Sequence, residues 1–183
     1  MKFPTLETER LQLVEITQKY AQSLFEIFSL DEVTKYYGSE TFTRIEEANK
    51  LIEMFQKNYY EKRAYRWGII LKENNQLIGT IGLNGLQLKN KKAEIGYELN
   101  PSFWRNGYAT ESIREVLRYG FGELELNRIG AVVYIENKAS FNLLTGLGFS
   151  KEGELRDYFF QNNKYHTTHI LSLLKSEWES NQV

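Results

Sequence analysis

Between residues 93 and 135 the apolar spacing changes twice, and a chain that does this has to lay a helix against strands. Ala93–Leu99 alternates as a strand. Tyr108–Leu124 then gathers Ala109, Ile113, Val116, Leu117 and Phe121 on one helical face, and Arg128–Ile135 is a strongly apolar strand. The same reading extends outward. Arg10–Ile16 is a strand, Tyr20–Leu30 and Ile45–Lys62 are amphipathic helices, and Arg66–Leu71 with Gln76–Leu83 form a hairpin around Asn74-Asn75. Ala139–Leu147 is a short helix ended by Gly148, and Phe149–Asp157 and Tyr165–Leu174 close the chain as strands. The predicted order, β-α-α-β-β-β-α-β-α-β-β, is that of an α/β domain with helices covering a mixed sheet. Nothing in residues 1–183 reads as a linker, so one domain is expected.

Composition excludes several functions. Lys and Arg total 23 against 24 Asp and Glu, so the broad basic excess needed to grip a phosphate backbone is missing, and nucleic acid is not an expected partner. With no cysteine there is no disulfide, thiolate metal site or cysteine nucleophile, which fits a reducing compartment. The N-terminus MKFPTLETERLQL lacks the apolar block of a signal peptide, and no run approaches the roughly 20 apolar residues of a membrane span, so a cytoplasmic protein without membrane association is expected. His166 and His169, three apart on a strand, face opposite sides and predict no metal.

The segment most able to hold a ligand is Trp104-Arg105-Asn106-Gly107-Tyr108-Ala109-Thr110, which enters the long helix with no acid before Glu111. Free N–H groups at a helix start, helped by the macrodipole, attract an anion, and Gly107 allows close approach of a pyrophosphate. Arg105 adds a charge. An ordinary flexible loop is the competing reading. Other phosphate motifs fail: Gly148 and Gly153 have P-loop spacing, but Glu154 stands where lysine is required, and Gly79, Gly82 and Gly85 do not lie at a strand-to-helix turn.

Trp104–Glu111 (WRNGYATE), Ala93–Leu99 (AEIGYEL) and Asn137–Phe149 (NKASFNLLTGLGF), in that relation, resemble the GNAT superfamily of acetyltransferases. Thr8–Leu13 and Glu152–Arg156 resemble its Rim-type branch, whose members acetylate ribosomal-protein N-termini. The resemblance implies a mostly antiparallel sheet of about seven strands, splayed between the fourth and fifth, with helices on both faces. It implies acetyl-CoA as the cofactor, its pyrophosphate held by Arg105, Asn106, Gly107, Tyr108, Ala109 and Thr110. The Leu99 amide would meet the oxyanion, and Asn137 and Ser140 would line the pantetheine arm and thiol. Trp104 departs from the superfamily's Arg or Gln, a change backbone contacts tolerate. The partner would be an amine acceptor, a ribosomal-protein N-terminus or a small amine such as a polyamine or aminoglycoside, and the branch includes homodimers.

An amine with a pKa of about 8 to 10 is largely protonated near neutrality, so attack on the thioester requires a base or a water chain. Glu98 ranks first for that role and Asp157 second. The tyrosine that serves many family members as general acid is replaced by Leu144, and Ser140, one turn earlier, is the alternative donor to the leaving sulfur, set against a plain capping role. Tyr36 and Tyr37, with Tyr158, Phe159 and Phe160, are the aromatics expected to meet the acceptor. Asp31, Glu32 and Glu40 would suit a polycation. The missing tyrosine also leaves a non-catalytic CoA-binding sensor as a different class of function.

Overall fold

A computed structural model describes residues 2–180. These form one eight-stranded sheet in the order β1-β2-β3-β4-β5-β6-β8-β7. The strands are β1 (Leu6–Glu7), β2 (Leu11–Glu15), β3 (Tyr65–Leu71), β4 (Gln76–Gln87), β5 (Lys92–Leu99), β6 (Arg128–Tyr134), β7 (Ser150–Gln161) and β8 (Lys164–Leu174). The helices are α1 (Ala21–Phe28), α2 (Asp31–Thr34), α3 (Ile45–Tyr60), α4 (Tyr108–Gly122), α5 (Lys138–Gly146) and α6 (Lys175–Ser180). Every element read from the sequence is present. The eighth strand is β1, whose two residues pair Leu6 with Leu13 and Glu7 with Gln12, a span too short for an alternating pattern to register.

Apolar side chains divide between the two faces of the sheet. Leu24, Ile27 and Phe28 of α1 and Ala48 and Ile52 of α3 pack with Ile16, Ile70 and Leu77 on one side. On the other, Ile113, Val116, Leu117 and Phe121 of α4 and Leu144 of α5 pack on Trp67, Ile69, Ile81, Ile95 and Ile129. Successive residues of β3 thus serve opposite cores, Ile69 one and Ile70 the other, as a strand buried on both faces requires.

Of the seven neighbouring strand pairs in the sheet, β5 and β6 are the two that diverge. Both run in the same direction and pair only through Lys92↔Arg128, Ala93↔Ile129 and Glu94↔Gly130. Beyond Glu94 the strands part, while β5 stays paired to β4 as far as Leu99 and β6 to β8 as far as Tyr134. The opening is the splay expected between Ala93–Leu99 and Arg128–Ile135. With β1 counted, it lies between the fifth and sixth strands.

Candidate functional site

A cavity of about 410 Å³ fills this opening. Ile95, Gly96 and Tyr97 of β5 line one side and Ala131–Tyr134 of β6 the other. One mouth is bounded by Asn137, Ser140 and Leu144 of α5, and the other by Tyr36–Ser39, Met54, Phe55 and Phe159. The passage therefore reaches both faces of the sheet. Asn100 donates its amide to the Ile78 carbonyl of β4 at 2.8 Å. Amides alternate in direction along a strand, so those of Tyr97 and Leu99, beyond the last β5–β6 pair at Glu94, face the side from which β6 has withdrawn. They are donors available to an extended, amide-bearing ligand.

The loop that ends at Gly107 leads directly into α4. Gly107 precedes α4 at φ 80°, and Arg105 also sits in the left-handed region at φ 61°, a conformation that costs a side-chain-bearing residue about 1–2 kcal/mol. The first ladder bond of α4 runs from the Glu111 amide to the Gly107 carbonyl at 3.0 Å, leaving the amides of Tyr108, Ala109 and Thr110 without a partner inside the helix. Sequence reasoning missed what holds this loop. Arg10, the residue before β2, donates from Nη1 to the Asn106 carbonyl at 2.9 Å and from Nε to Glu111 Oε2 at 2.7 Å, and its guanidinium lies 4.5 Å from the centre of the Tyr108 ring. Thr8 Oγ1 and the Arg10 amide both donate to Glu111 Oε1. These contacts hold the Glu111 carboxyl below the usual range despite the opposing effect of burial.

On α5, the Asn137 side-chain oxygen accepts from the Ser140 amide at 3.1 Å, so Asn137 caps the helix and the Ser140 hydroxyl is not spent on that task. The Ser140 hydroxyl instead lies 2.8 Å from the Tyr97 hydroxyl. Leu144, fully buried, presents no polar atom at the cavity.

Glu98 is not placed as expected of a base. It is buried and does not line the cavity. Arg66 Nη2 donates to both its oxygens, at 2.6 and 2.5 Å, and Thr80 Oγ1 donates to Oε1. Its acceptor positions are committed to the fold. Arg66 reaches it by lying across Gly82, where a Cβ would come within 2.7 Å of Arg66 Cδ, and Nη1 continues to the Gly96 carbonyl at 3.2 Å. A lone charge within the apolar run YRWGIIL was the signal for this pair. Asp157, the second candidate, also lies outside the cavity.

Tyr36, Tyr37 and Phe159 line the cavity, whereas Tyr158, half-exposed, does not. Gln161, buried and unforeseen, anchors the segment carrying the two tyrosines: its Nε2 donates to the Thr34 and Ser39 carbonyls at 2.9 and 2.6 Å, and its Oε1 accepts from the Tyr134 hydroxyl at 2.9 Å. His166 stacks on Tyr134, while His169 faces Phe141 and Glu154 on the opposite side of β8.

The family described as "Acetyltransferase (GNAT) domain" matches residues 10–150. The chain is 50% identical to the uncharacterized N-acetyltransferase YoaA of Bacillus subtilis (strain 168), over 94% of this chain and 98% of that one. It is 34% identical to YdaF of the same organism, provisionally named a ribosomal N-acetyltransferase, over 70% of this chain and 69% of that one. Among solved structures, a GNAT-family acetyltransferase from Bacillus anthracis superposes with a TM-score of 0.83 at 28% identity, covering 95% of this chain and all of that one.

Proposed function

The chain belongs to the GNAT acetyltransferase family, and we propose that it binds acetyl-CoA in the opening between β5 and β6 and acetylates the α-amino group of a protein N-terminus, such as that of a ribosomal protein. The observation that carries this reading is the cavity that crosses the sheet, with unpaired β5 amides along it, Ser140 at one mouth and the Tyr36–Tyr37 segment at the other. An extended pantetheine arm fits between strands that no longer bond to each other, and its amides would find the partners that β6 does not supply. The amides of Tyr108, Ala109 and Thr110, Gly107 and the Arg105 charge suit the pyrophosphate.

The choice of acceptor rests on the lack of a free base inside. Among the residues lining the cavity only Arg66 and Glu94 are charged; Arg66 is neutralised by Glu98, and Glu94 is exposed. Such a lining suits an amine that arrives partly as the free base. At pH 7.5 an α-amino group with a pKa near 8 is roughly a quarter neutral, whereas an alkylamine near 10.4 is neutral in only about one molecule per thousand. A polyamine would in addition call for several carboxylates, and Asp31, Glu32 and Glu40 do not line this cavity. In the transfer, the Leu99 amide would receive the oxyanion and Ser140 would donate to the sulfur. The carbon–sulfur electron pair stays with sulfur, and the nitrogen releases its proton as the amide forms.

Isothermal titration with acetyl-CoA, followed by thiol release against N-terminal peptides and spermidine, tests this. Binding with release from peptides is expected. Release from spermidine alone would overturn the acceptor assignment, and no binding would overturn the cofactor assignment.

A further inference from the structure

Ser140 is as useful as the direction of its proton. A serine hydroxyl has one hydrogen, and in this site two atoms compete for it: the Tyr97 oxygen, 2.8 Å away, and the sulfur that the proposed function brings to the same mouth of the cavity. If Ser140 donated to Tyr97, the departing thiolate would meet only lone pairs. A phenol is a much stronger acid, and so a better donor, than an aliphatic alcohol. We propose that Tyr97 is a positioning residue of the transfer step: its hydroxyl donates to Ser140 Oγ and so leaves the Ser140 hydrogen for the coenzyme's sulfur.

Three observations support the arrangement. Tyr97 and Ser140 line the same cavity, one on β5 beyond the point where β6 leaves and the other on α5, and their oxygens meet at the mouth that α5 bounds. The Asn137 cap fixes the first turn of α5, which sets the Ser140 backbone and leaves its hydroxyl free to act. Burial raises the Tyr97 phenol to about 12, so it stays protonated, and a donor, throughout the range in which an acetyltransferase works. Leu144, apolar and one turn beyond Ser140, offers no alternative hydrogen. The pair therefore does with two hydroxyls what a single tyrosine would do from position 144. The chemistry balances without further reagents. The amine forms the C–N bond, the C–S pair moves to sulfur, the thiolate departs hydrogen-bonded to Ser140, and the proton shed by nitrogen is regained by the thiolate through solvent.

The inference rests on the acetyl-transfer reading, and the experiment separates the two. Steady-state rates are measured for the wild type, Tyr97→Phe, Ser140→Ala and the double variant, with acetyl-CoA affinity measured for each. Losing the hydrogen bond is expected to lower kcat about tenfold in Tyr97→Phe, with KM for acetyl-CoA within twofold, and the double variant should be no slower than Ser140→Ala alone. Wild-type kcat in Tyr97→Phe, a change confined to KM, or multiplying losses in the double variant would overturn the role of Tyr97 alone. Should Tyr97→Phe fail to bind acetyl-CoA, fluorotyrosine at position 97 decides, since it keeps the hydroxyl and makes it a stronger donor. Undiminished kcat supports the proposal, and a fall refutes it. A wild type that binds acetyl-CoA yet releases thiol with no amine would overturn the transfer reading and this inference together.

Discussion

Arg66 Nη2 lies 2.5 Å from Glu98 Oε2, with both side chains almost wholly buried in the sheet. The guanidinium also bonds Thr80 Oγ1 and the Gly96 carbonyl, so it ties β3, β4 and β5 together beside the opening. Charges so placed stabilise only while each keeps its partner.

Removing one partner should therefore be costly. Arg66→Ala is expected to lose about 3–5 kcal/mol in urea denaturation, because Glu98 stays buried without a counter-charge. The double variant Arg66→Met/Glu98→Leu should recover most of that loss. Equal destabilisation of the single and double variants would show that packing, not charge, is what the pair contributes.

Arg10 is largely exposed, and its work is local to the loop before α4. Arg10→Ala should raise KM for acetyl-CoA several-fold, leave kcat at saturation near that of the wild type, and barely move Tm. Gly107→Glu, which places a side chain at φ 80° and a negative charge beside the helix start, should abolish acetyl-CoA binding by calorimetry. Unchanged affinity in Gly107→Glu would move the pyrophosphate elsewhere.

Gln161 joins β7 to the segment bearing Tyr36 and Tyr37. Gln161→Leu removes three hydrogen bonds and leaves the part-buried Ser39 carbonyl and the Tyr134 hydroxyl without those partners, while the Thr34 carbonyl keeps the Tyr37 amide, a loss of about 1–3 kcal/mol. Its kinetic signature should be a raised KM for the acceptor with an unaltered KM for acetyl-CoA. If both rise together, the segment does more than bound the acceptor mouth.

Glu152 receives hydrogen bonds from Arg128 and Ser172, and these hold its carboxyl down to about 2. Because the folded value lies below the unfolded one, the stabilisation is complete above about pH 4.5 and is lost as the pH falls toward 2. The site is partly exposed, so solvent screening limits it to about 1 kcal/mol. Thermal melts of Glu152→Gln and the wild type should differ at pH 6 and converge by pH 2. A constant difference would mean that Glu152 contributes through packing.

The sequence by itself determined the elements, because each depends on spacing within one segment. The 3.6-residue stripe of Tyr108–Leu124 and the apolar run of Arg128–Ile135 appear as α4 and β6 with boundaries moved by two residues or fewer. It also marked the loop before α4, where the departure from regular structure is written in Gly107, whose φ is 80°. Tertiary structure decided which groups meet. Glu98 reads in the sequence as the first candidate base, and it is Arg66, 32 residues earlier in the chain and lying over Gly82, that pairs with it. Tyr97 reads in the sequence only as one residue of the strand Ala93–Leu99, and its hydroxyl meets that of Ser140, 43 residues away. Gln161 reaches back 127 residues to Thr34, and Arg10 forward 101 to Glu111. Periodicity reports which face of an element a side chain takes. The partner it finds there is set by strand register and by the angle at which a helix crosses the sheet, and these arise only when distant segments pack.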